Sequence, residues 1–144
     1  MEEGETPQQA AVREAVEELN IQPEQIDILG EIDYLVFERS TIHCFVGRLN
    51  LDWMTIVPNE EVARIFTVPL STLLTIQPVY YQLDSKVVPE CDFPFERLRG
   101  GISYPFSYQK RSIPFYEQLP ENIWGMTAQF THRFTEIINQ QTSP

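Results

Sequence analysis

Apolar residues recur at helical spacing near both ends of the chain, and this pattern predicts two amphipathic helices. In the first helix, apolar residues at i, i+3, i+4 and i+7 form one stripe that we expect to face a core: Val12, Ala15, Val16 and Leu19. Towards the C-terminus, apolar residues at i, i+4, i+7 and i+8 predict a helix over about residues 127–139: Phe130, Phe134, Ile137 and Ile138.

The residues that flank the first stripe are typical of helix boundaries. Thr6 is a favourable N-cap, Pro7 suits the first helical position, and Gln9 completes a T-x-x-Q capping box. Asn20 follows the last apolar residue, where a left-handed backbone often ends a helix and asparagine is the next choice after glycine. We therefore predict a helix that begins after Thr6 and ends before Asn20.

Between the two helices, runs of β-branched and aromatic residues alternate with turn-forming residues. The runs that predict strands are Ile26–Ile32, Tyr34–Phe37, Ile42–Leu49 and Ala63–Val68. Residues 69–74 predict a short helix or turn that starts at a proline, and Gly100-Gly101 predicts a hairpin turn. The sequence shows no repeat and no linker, so we predict one α+β domain over residues 1–144, with helices packed against a sheet.

The chain is acidic, with a formal net charge of −11, and this charge excludes some classes of partner. Nucleic acids are bound by clustered lysine and arginine, so we expect no nucleic acid partner. We also expect no membrane association, because no apolar run reaches the ~18 residues that span a bilayer.

Cys44 and Cys91 lie far apart in the sequence, and reduced thiols of a cytoplasmic protein are the simplest interpretation.

Three glutamates share the face of the first helix that lies opposite the apolar stripe. Glu14, Glu17 and Glu18 are spaced i, i+3 and i+4. Glu14 and Glu18 repel each other by roughly 0.2–0.5 kcal/mol, and glutamates in the last turn oppose the helix dipole. Two interpretations remain open: a solvated acidic face, or a site for a divalent cation, which prefers oxygen ligands. The cation would also help an anionic substrate to approach so acidic a protein.

The first helix and its flanks resemble the Nudix box, G-x5-E-x7-R-E-U-x-E-E-x-G-U, in which U is a bulky aliphatic residue. The charged residues that match the motif at its own spacing are Glu5, Arg13, Glu14, Glu17 and Glu18. Asn20 stands at the position of the second glycine, and Ala15 is small for a U position. The opening glycine would fall before residue 1, so we expect a box remnant over residues 5–21 in an N-terminally truncated member that lacks the first strands.

Two later segments resemble the coenzyme A pyrophosphatase-like branch of the Nudix hydrolases. Residues 59–70, NEEVARIFTVPL, resemble its N-x-E-V-x-x-x-F-x-V-P-L segment, and residues 123–128, IWGMTA, resemble its I-W-G-x-T-A segment. The specificity motif of that branch would precede residue 1. The resemblance implies a Nudix-like α/β/α sandwich, in which a mixed sheet lies between helices.

The resemblance also implies a reaction, the Mg²⁺- or Mn²⁺-dependent hydrolysis of the pyrophosphate bond in a nucleoside diphosphate linked to another group. The expected substrate is coenzyme A or a derivative, which would give 3′,5′-ADP and phosphopantetheine. The implied metal ligands are Glu14, Glu17 and Glu18. Glu14 or a loop glutamate would accept the proton of the attacking water, and Glu61 and Glu60 are the loop candidates. Arg13 would pair with Glu5 and position the loop before the helix.

A different class of function remains open, a catalytically weak or inactive Nudix-fold module that binds or regulates. Loss of the first strands would expose sheet edges and apolar surface, which favours association, so a homo-oligomer is possible. A small-molecule nucleotide is the expected partner, but the sequence leaves the substrate-binding residues unassigned. The aromatic residues between positions 76 and 122 suit a core better than a base-stacking surface.

Overall fold

The computed structural model of the chain describes residues 4–37, 40–84, 88, 91–106 and 110–142. The helices and strands within these ranges are, in order, α1 (Pro7–Leu19), β1 (Ile26–Phe37), β2 (Ser40–Leu49), α2 (Leu70–Leu73), β3 (Val79–Asp84), β4 (Lys110–Phe115) and α3 (Gly125–Thr142). The described strands form two small antiparallel sheets, one of β1 and β2 and the other of β3 and β4. This mixture of helices and antiparallel strands confirms the predicted α+β class.

Helix α1 has the boundaries that its sequence predicts. The Gln9 N–H donates to Thr6 Oγ1 over 3.3 Å, and the Thr6 N–H donates to Gln9 Oε1 over 2.9 Å, so both halves of the capping box form. Asn20 ends the helix in the left-handed conformation, with φ of 52° and ψ of 49°. The N-terminal and C-terminal signals are both confirmed because capping depends on residues within one turn of each end.

The first sheet joins β1 to β2 in an antiparallel register that runs from Ile26 opposite Leu49 to Phe37 opposite Ser40. The two strand segments predicted before residue 38 form one strand, but its register shifts near Gly30 and again before Asp33. The gap expected at residue 33 between the two predicted segments is therefore not a break in the strand, and the structure has irregularities in the register there instead.

Two local predictions are wrong. Ala63–Val68 forms no strand, although its residues have the composition of one, because strand formation depends on a neighbouring strand that composition does not specify. Gly100 and Gly101 do not form a hairpin turn; both have positive φ, and Gly101–Ser103 forms a single 3₁₀ turn. The short helix expected after Pro69 is confirmed as α2, and the C-terminal helix is longer than predicted.

Contacts divide the chain into two compact units. The first comprises Met1–Gln77 with Gln129–Pro144, and the second comprises Pro78–Ala128. Ile21 and Thr135 are buried in the first unit, whereas the buried residues of the second unit are Tyr116, Ile123 and Ala128. The single domain over residues 1–144 stays a prediction.

The apolar stripe of α1 is less buried than its spacing suggests. Val12, Ala15, Val16 and Leu19 are each half-buried, and the helix has no fully buried residue. The helix contacts β2 and the 3₁₀ turn Pro23–Gln25. The expected orientation towards a core is thus only partly realised.

Along the described segments, no helix has both the length and the apolar character that crossing a bilayer requires.

Candidate active site

The acidic face of α1 is exposed. The side chains of Glu14 and Glu17 are 54% and 55% exposed, and Glu18 is also exposed. The helical register therefore presents three carboxylates to solvent from one short element. Carboxylates in this setting can be reached by an incoming cation from solvent.

Arg13 lies among these carboxylates and contacts three of the box residues. Its Nε lies 2.9 Å from Glu5 Oε1, its Nη2 lies 2.8 Å from Glu14 Oε1, and its Nη1 lies 3.2 Å from Glu17 Oε2. The Glu5 side chain is only 12% exposed, so this pair is the most sheltered of the three. The predicted pairing of Arg13 with Glu5 is therefore present in the structure.

The pKa of Arg13 is raised above its ordinary value, first by the hydrogen bond that it donates to Glu5 and then by the one that it donates to Glu14. The guanidinium therefore remains charged at every accessible pH. Its positive charge contacts both Glu14 and Glu17, which are spaced i, i+3, and offsets the repulsion between these two carboxylates. The arginine also connects the residue before the N-cap to the body of α1, which restrains the start of the helix.

A second element approaches the other end of α1. The Asn59 N–H donates to the Glu18 carbonyl oxygen over 2.9 Å, and the Glu61 N–H donates to Asn59 Oδ1 over 3.0 Å. The first bond satisfies a carbonyl that the helix end leaves without an intrahelical partner. The second closes an Asx turn that directs the chain through Glu60 and Glu61. The loop glutamates therefore follow directly on a residue that is hydrogen-bonded to the last turn of the acidic helix.

The placement of Glu60 and Glu61 in a loop was predicted from the sequence, but the role of Asn59 in holding that loop was not. The available signal was an asparagine two residues before a glutamate, which is the spacing of an Asx turn. The hydrogen bond to Glu18 joins residues that are distant in sequence and has no local signal.

The donor chemistry of the acidic face fits a hard divalent cation, since carboxylate oxygens are the preferred ligands of Mg²⁺ and Mn²⁺. The carboxylates do not, however, converge on one point. Within the described ranges, no three or more histidine, cysteine, aspartate or glutamate side chains are grouped closely enough to hold a metal. Glu14 and Glu17 instead contact Arg13. Cation binding would require these exposed side chains to rotate away from the guanidinium.

A cavity of about 420 Å³ lies elsewhere in the first unit, against the β1–β2 sheet. Its lining residues are Glu31, Ile32, Asp33, Tyr34 and His43. His43 Nδ1 lies 2.6 Å from Glu31 Oε1, so a carboxylate orients the imidazole. Burial, followed by the charge of Asp33, raises the pKa of the neighbouring Cys44 thiol. A protonated thiol is a weak nucleophile.

Comparison with known proteins gives this geometry a context. The chain matches the NUDIX domain over residues 1–91, which include both α1 and the Asn59 loop. It is 28% identical over 129 residues to the Uncharacterized Nudix hydrolase NudL of Photorhabdus laumondii subsp. laumondii, covering 89% of this chain and 58% of that protein. It is 21% identical over 148 residues to Nudix hydrolase 3 of Caenorhabditis elegans, covering 96% of this chain and 57% of that protein.

The chain thus spans less than three fifths of the length of these two relatives. The match to the NUDIX domain nevertheless extends over more than half of its own 144 residues. That match contains every charged residue of the α1 motif, from Glu5 to Glu18. The chain therefore belongs to the Nudix family.

Proposed function

We propose that this protein hydrolyses the pyrophosphate bond of a nucleoside diphosphate linked to a second group. The single observation that carries the proposal is the ion-pair network in which Arg13 contacts Glu5, Glu14 and Glu17. The network connects two of the exposed carboxylates, Glu14 and Glu17, to the segment before the helix. Family membership supports hydrolysis of this general type.

Nudix hydrolases generally use divalent metal ions, and we propose Mg²⁺ or Mn²⁺ for this protein. Glu14, Glu17 and Glu18 would hold the ion, since they are exposed and share one helical face. A bound cation would neutralise the charge of the phosphate oxygens. When Glu14 and Glu17 turn towards the ion, Arg13 keeps its contact with the sheltered Glu5 and so continues to fix the start of α1.

Proton removal from the attacking water is assigned to Glu61, with Glu14 as the second candidate. The water oxygen bonds to phosphorus while the bridging P–O bond breaks, its electron pair leaves with the departing phosphate, and the carboxylate takes the proton. The Asx turn at Asn59 supports Glu61, because it fixes the backbone of that residue next to the last turn of α1. Glu60 is exposed in the same loop and stays a weaker candidate.

Coenzyme A or a derivative is the proposed substrate, cleaved to 3′,5′-ADP and phosphopantetheine. This assignment is supported by the resemblance of residues 59–70 and 123–128 to the coenzyme A pyrophosphatase-like branch. It is tested by incubating the protein, with Mg²⁺ or Mn²⁺, separately with coenzyme A, ADP-ribose, diadenosine polyphosphates and oxidised dGTP. We expect coenzyme A to give the highest kcat/KM, and a higher value for any of the other substrates would contradict the choice.

The metal assignment is tested by the Glu18→Gln substitution. We expect it to lower metal-dependent kcat by more than about 100-fold, since even groups that only support metal ligands typically cost 10- to 100-fold. Glu24→Gln is the matched control, because Glu24 is an exposed glutamate in the 3₁₀ turn after α1 and lies outside the acidic face. Equal activity of the two variants would remove Glu18 from the site.

A second function, a binding or regulatory module without activity, is favoured by one observation. The half-buried valines of α1 line an open cavity of about 360 Å³ together with Pro23, so part of the apolar stripe is accessible.

Metal titration separates the two functions. A cation site should raise the melting temperature by about 3–6 °C at roughly ten times its dissociation constant, because saturation there contributes about 1.4 kcal/mol. No shift at millimolar Mg²⁺ or Mn²⁺ favours the module.

A further inference from the structure

The loop that connects β2 to the Asn59 turn exposes three large apolar side chains. We define it as residues 50–59, the 50–59 loop. Trp53, Met54 and Val57 are 42%, 72% and 73% exposed. Large apolar side chains grouped on one short surface segment commonly mark a binding site. Tryptophan in particular offers a flat, rigid face with few rotatable bonds.

Both ends of the 50–59 loop are tied to residues around the C-terminus of α1. The Asn50 N–H donates to the Gln25 carbonyl oxygen over 2.8 Å, and the Asn59 N–H donates to the Glu18 carbonyl oxygen over 2.9 Å. Gln25 belongs to the turn that follows the helix, and Glu18 belongs to its last turn. The loop is therefore fastened beside the end of the helix that carries the acidic residues.

The middle of the loop is ordered by its own hydrogen bonds. Trp53–Thr55 forms a 3₁₀ turn, which Asp52 caps by accepting from the Met54 N–H over 3.0 Å. Thr55 returns two bonds to the Asp52 carbonyl oxygen, from its N–H over 2.9 Å and from its Oγ1 over 2.7 Å. Trp53 thus lies, partly exposed, on a turn that is stabilised by local hydrogen bonds.

We propose that the 50–59 loop binds the base of the nucleotide substrate, with Trp53 as the stacking surface. This inference rests on the proposed function. The molecule that it invokes has two chemically different ends, since the pyrophosphate is anionic and the base is a flat aromatic ring. The two surfaces that match these ends are the acidic face of α1, which takes the pyrophosphate through a cation, and the apolar 50–59 loop. Their connection through Asn59 is the reason to assign them to one ligand.

Kinetics with coenzyme A test this assignment. Trp53→Ala should raise KM roughly tenfold with little change in kcat, because stacking on one aromatic side chain contributes to binding by about this factor. Trp53→Phe keeps an aromatic face and should restore most of the affinity. Unchanged KM in Trp53→Ala, in a protein that otherwise hydrolyses coenzyme A, would overturn the inference and leave the proposed function intact.

Fluorescence gives a second readout that does not require turnover. The chain has two tryptophans, so a Trp124→Phe variant reports on Trp53 alone. We expect its emission to be quenched by coenzyme A and unaffected by inorganic pyrophosphate, which has no base. Quenching by both ligands, or by neither, would contradict stacking. A blue shift with phosphatidylcholine vesicles and no response to coenzyme A would instead assign the loop to a membrane surface and overturn the inference.

Discussion

Replacing Asn59 by alanine tests whether the loop glutamates belong to the site. In the structure, the Asn59 side chain accepts the Glu61 N–H over 3.0 Å, while its main-chain N–H donates to the Glu18 carbonyl oxygen. Alanine removes the first bond and leaves the second, because the second uses only the backbone. The loop should therefore stay attached to α1 but lose the turn that orients Glu61.

The two effects of this substitution should differ greatly in size. Loss of one hydrogen bond at a partly exposed turn should lower the free energy of unfolding by about 0.5–1.5 kcal/mol. For a chain of this length, the melting temperature would fall by roughly 1–6 °C. If Glu61 accepts the proton of the attacking water, a small displacement of its backbone should lower kcat by about 10- to 100-fold. The catalytic loss would then exceed the loss of stability.

Thermal denaturation and steady-state hydrolysis of coenzyme A measure the two effects separately. Asn59→Asp is the matched control, since an aspartate oxygen can accept the same bond and should keep kcat within a few-fold of the parent protein. If Asn59→Ala keeps full kcat while its melting temperature falls, Glu61 is not the base. If Asn59→Asp loses as much activity as Asn59→Ala, the Asx turn is not what positions Glu61, and the reasoning fails.

Two further predictions concern stability. Thr6→Ala removes the acceptor for the Gln9 N–H and should lower the free energy of unfolding by about 1 kcal/mol, measured by thermal or urea denaturation. Thr6→Ser keeps a hydroxyl acceptor and should be close to neutral. Equal losses of stability in the two variants would exclude the capping hydrogen bond as the cause. Hydrogen bonds from Asn50 and then Arg48 lower the pKa of Asp27. The ionised Asp27 carboxylate therefore stabilises the folded protein above the pKa of an unfolded aspartate, about 3.9, and this stabilisation is lost as the pH falls through the pKa of Asp27 in the folded protein. The difference in urea midpoint between the parent protein and Asp27→Asn should shrink between about pH 6 and pH 2, and a constant difference would contradict the linkage.

The first helix shows how much local sequence can determine. Its N-cap, its capping box and its left-handed Asn20 were all predicted, because each depends on residues within about one turn. The pairing of Arg13 with Glu5 was predicted from the family motif and is present at 2.9 Å. Motif spacing was informative here because the two residues belong to one short segment, and the helix geometry brings them together.

Local sequence did not determine which segments form strands. Ile42–Leu49 and Ala63–Val68 have similar compositions, yet the first lies within β2 and the second forms no strand. A strand is stabilised by hydrogen bonds to a neighbour, and β2 finds that neighbour in β1. The pattern of one segment contains no information about which other segment will lie beside it.

The sequence by itself determined the extent of the acidic helix and the set of carboxylates on its exposed face. Only the tertiary structure decided that Asn59 hydrogen-bonds the end of this helix, and that Trp53 is presented on a loop whose other end is bonded to the turn after the helix. The physical reason is the range of the interactions: capping and helical spacing act within a few residues, whereas the contacts of Asn50 with Gln25 and of Asn59 with Glu18 join residues far apart in the sequence and exist only once the chain has folded.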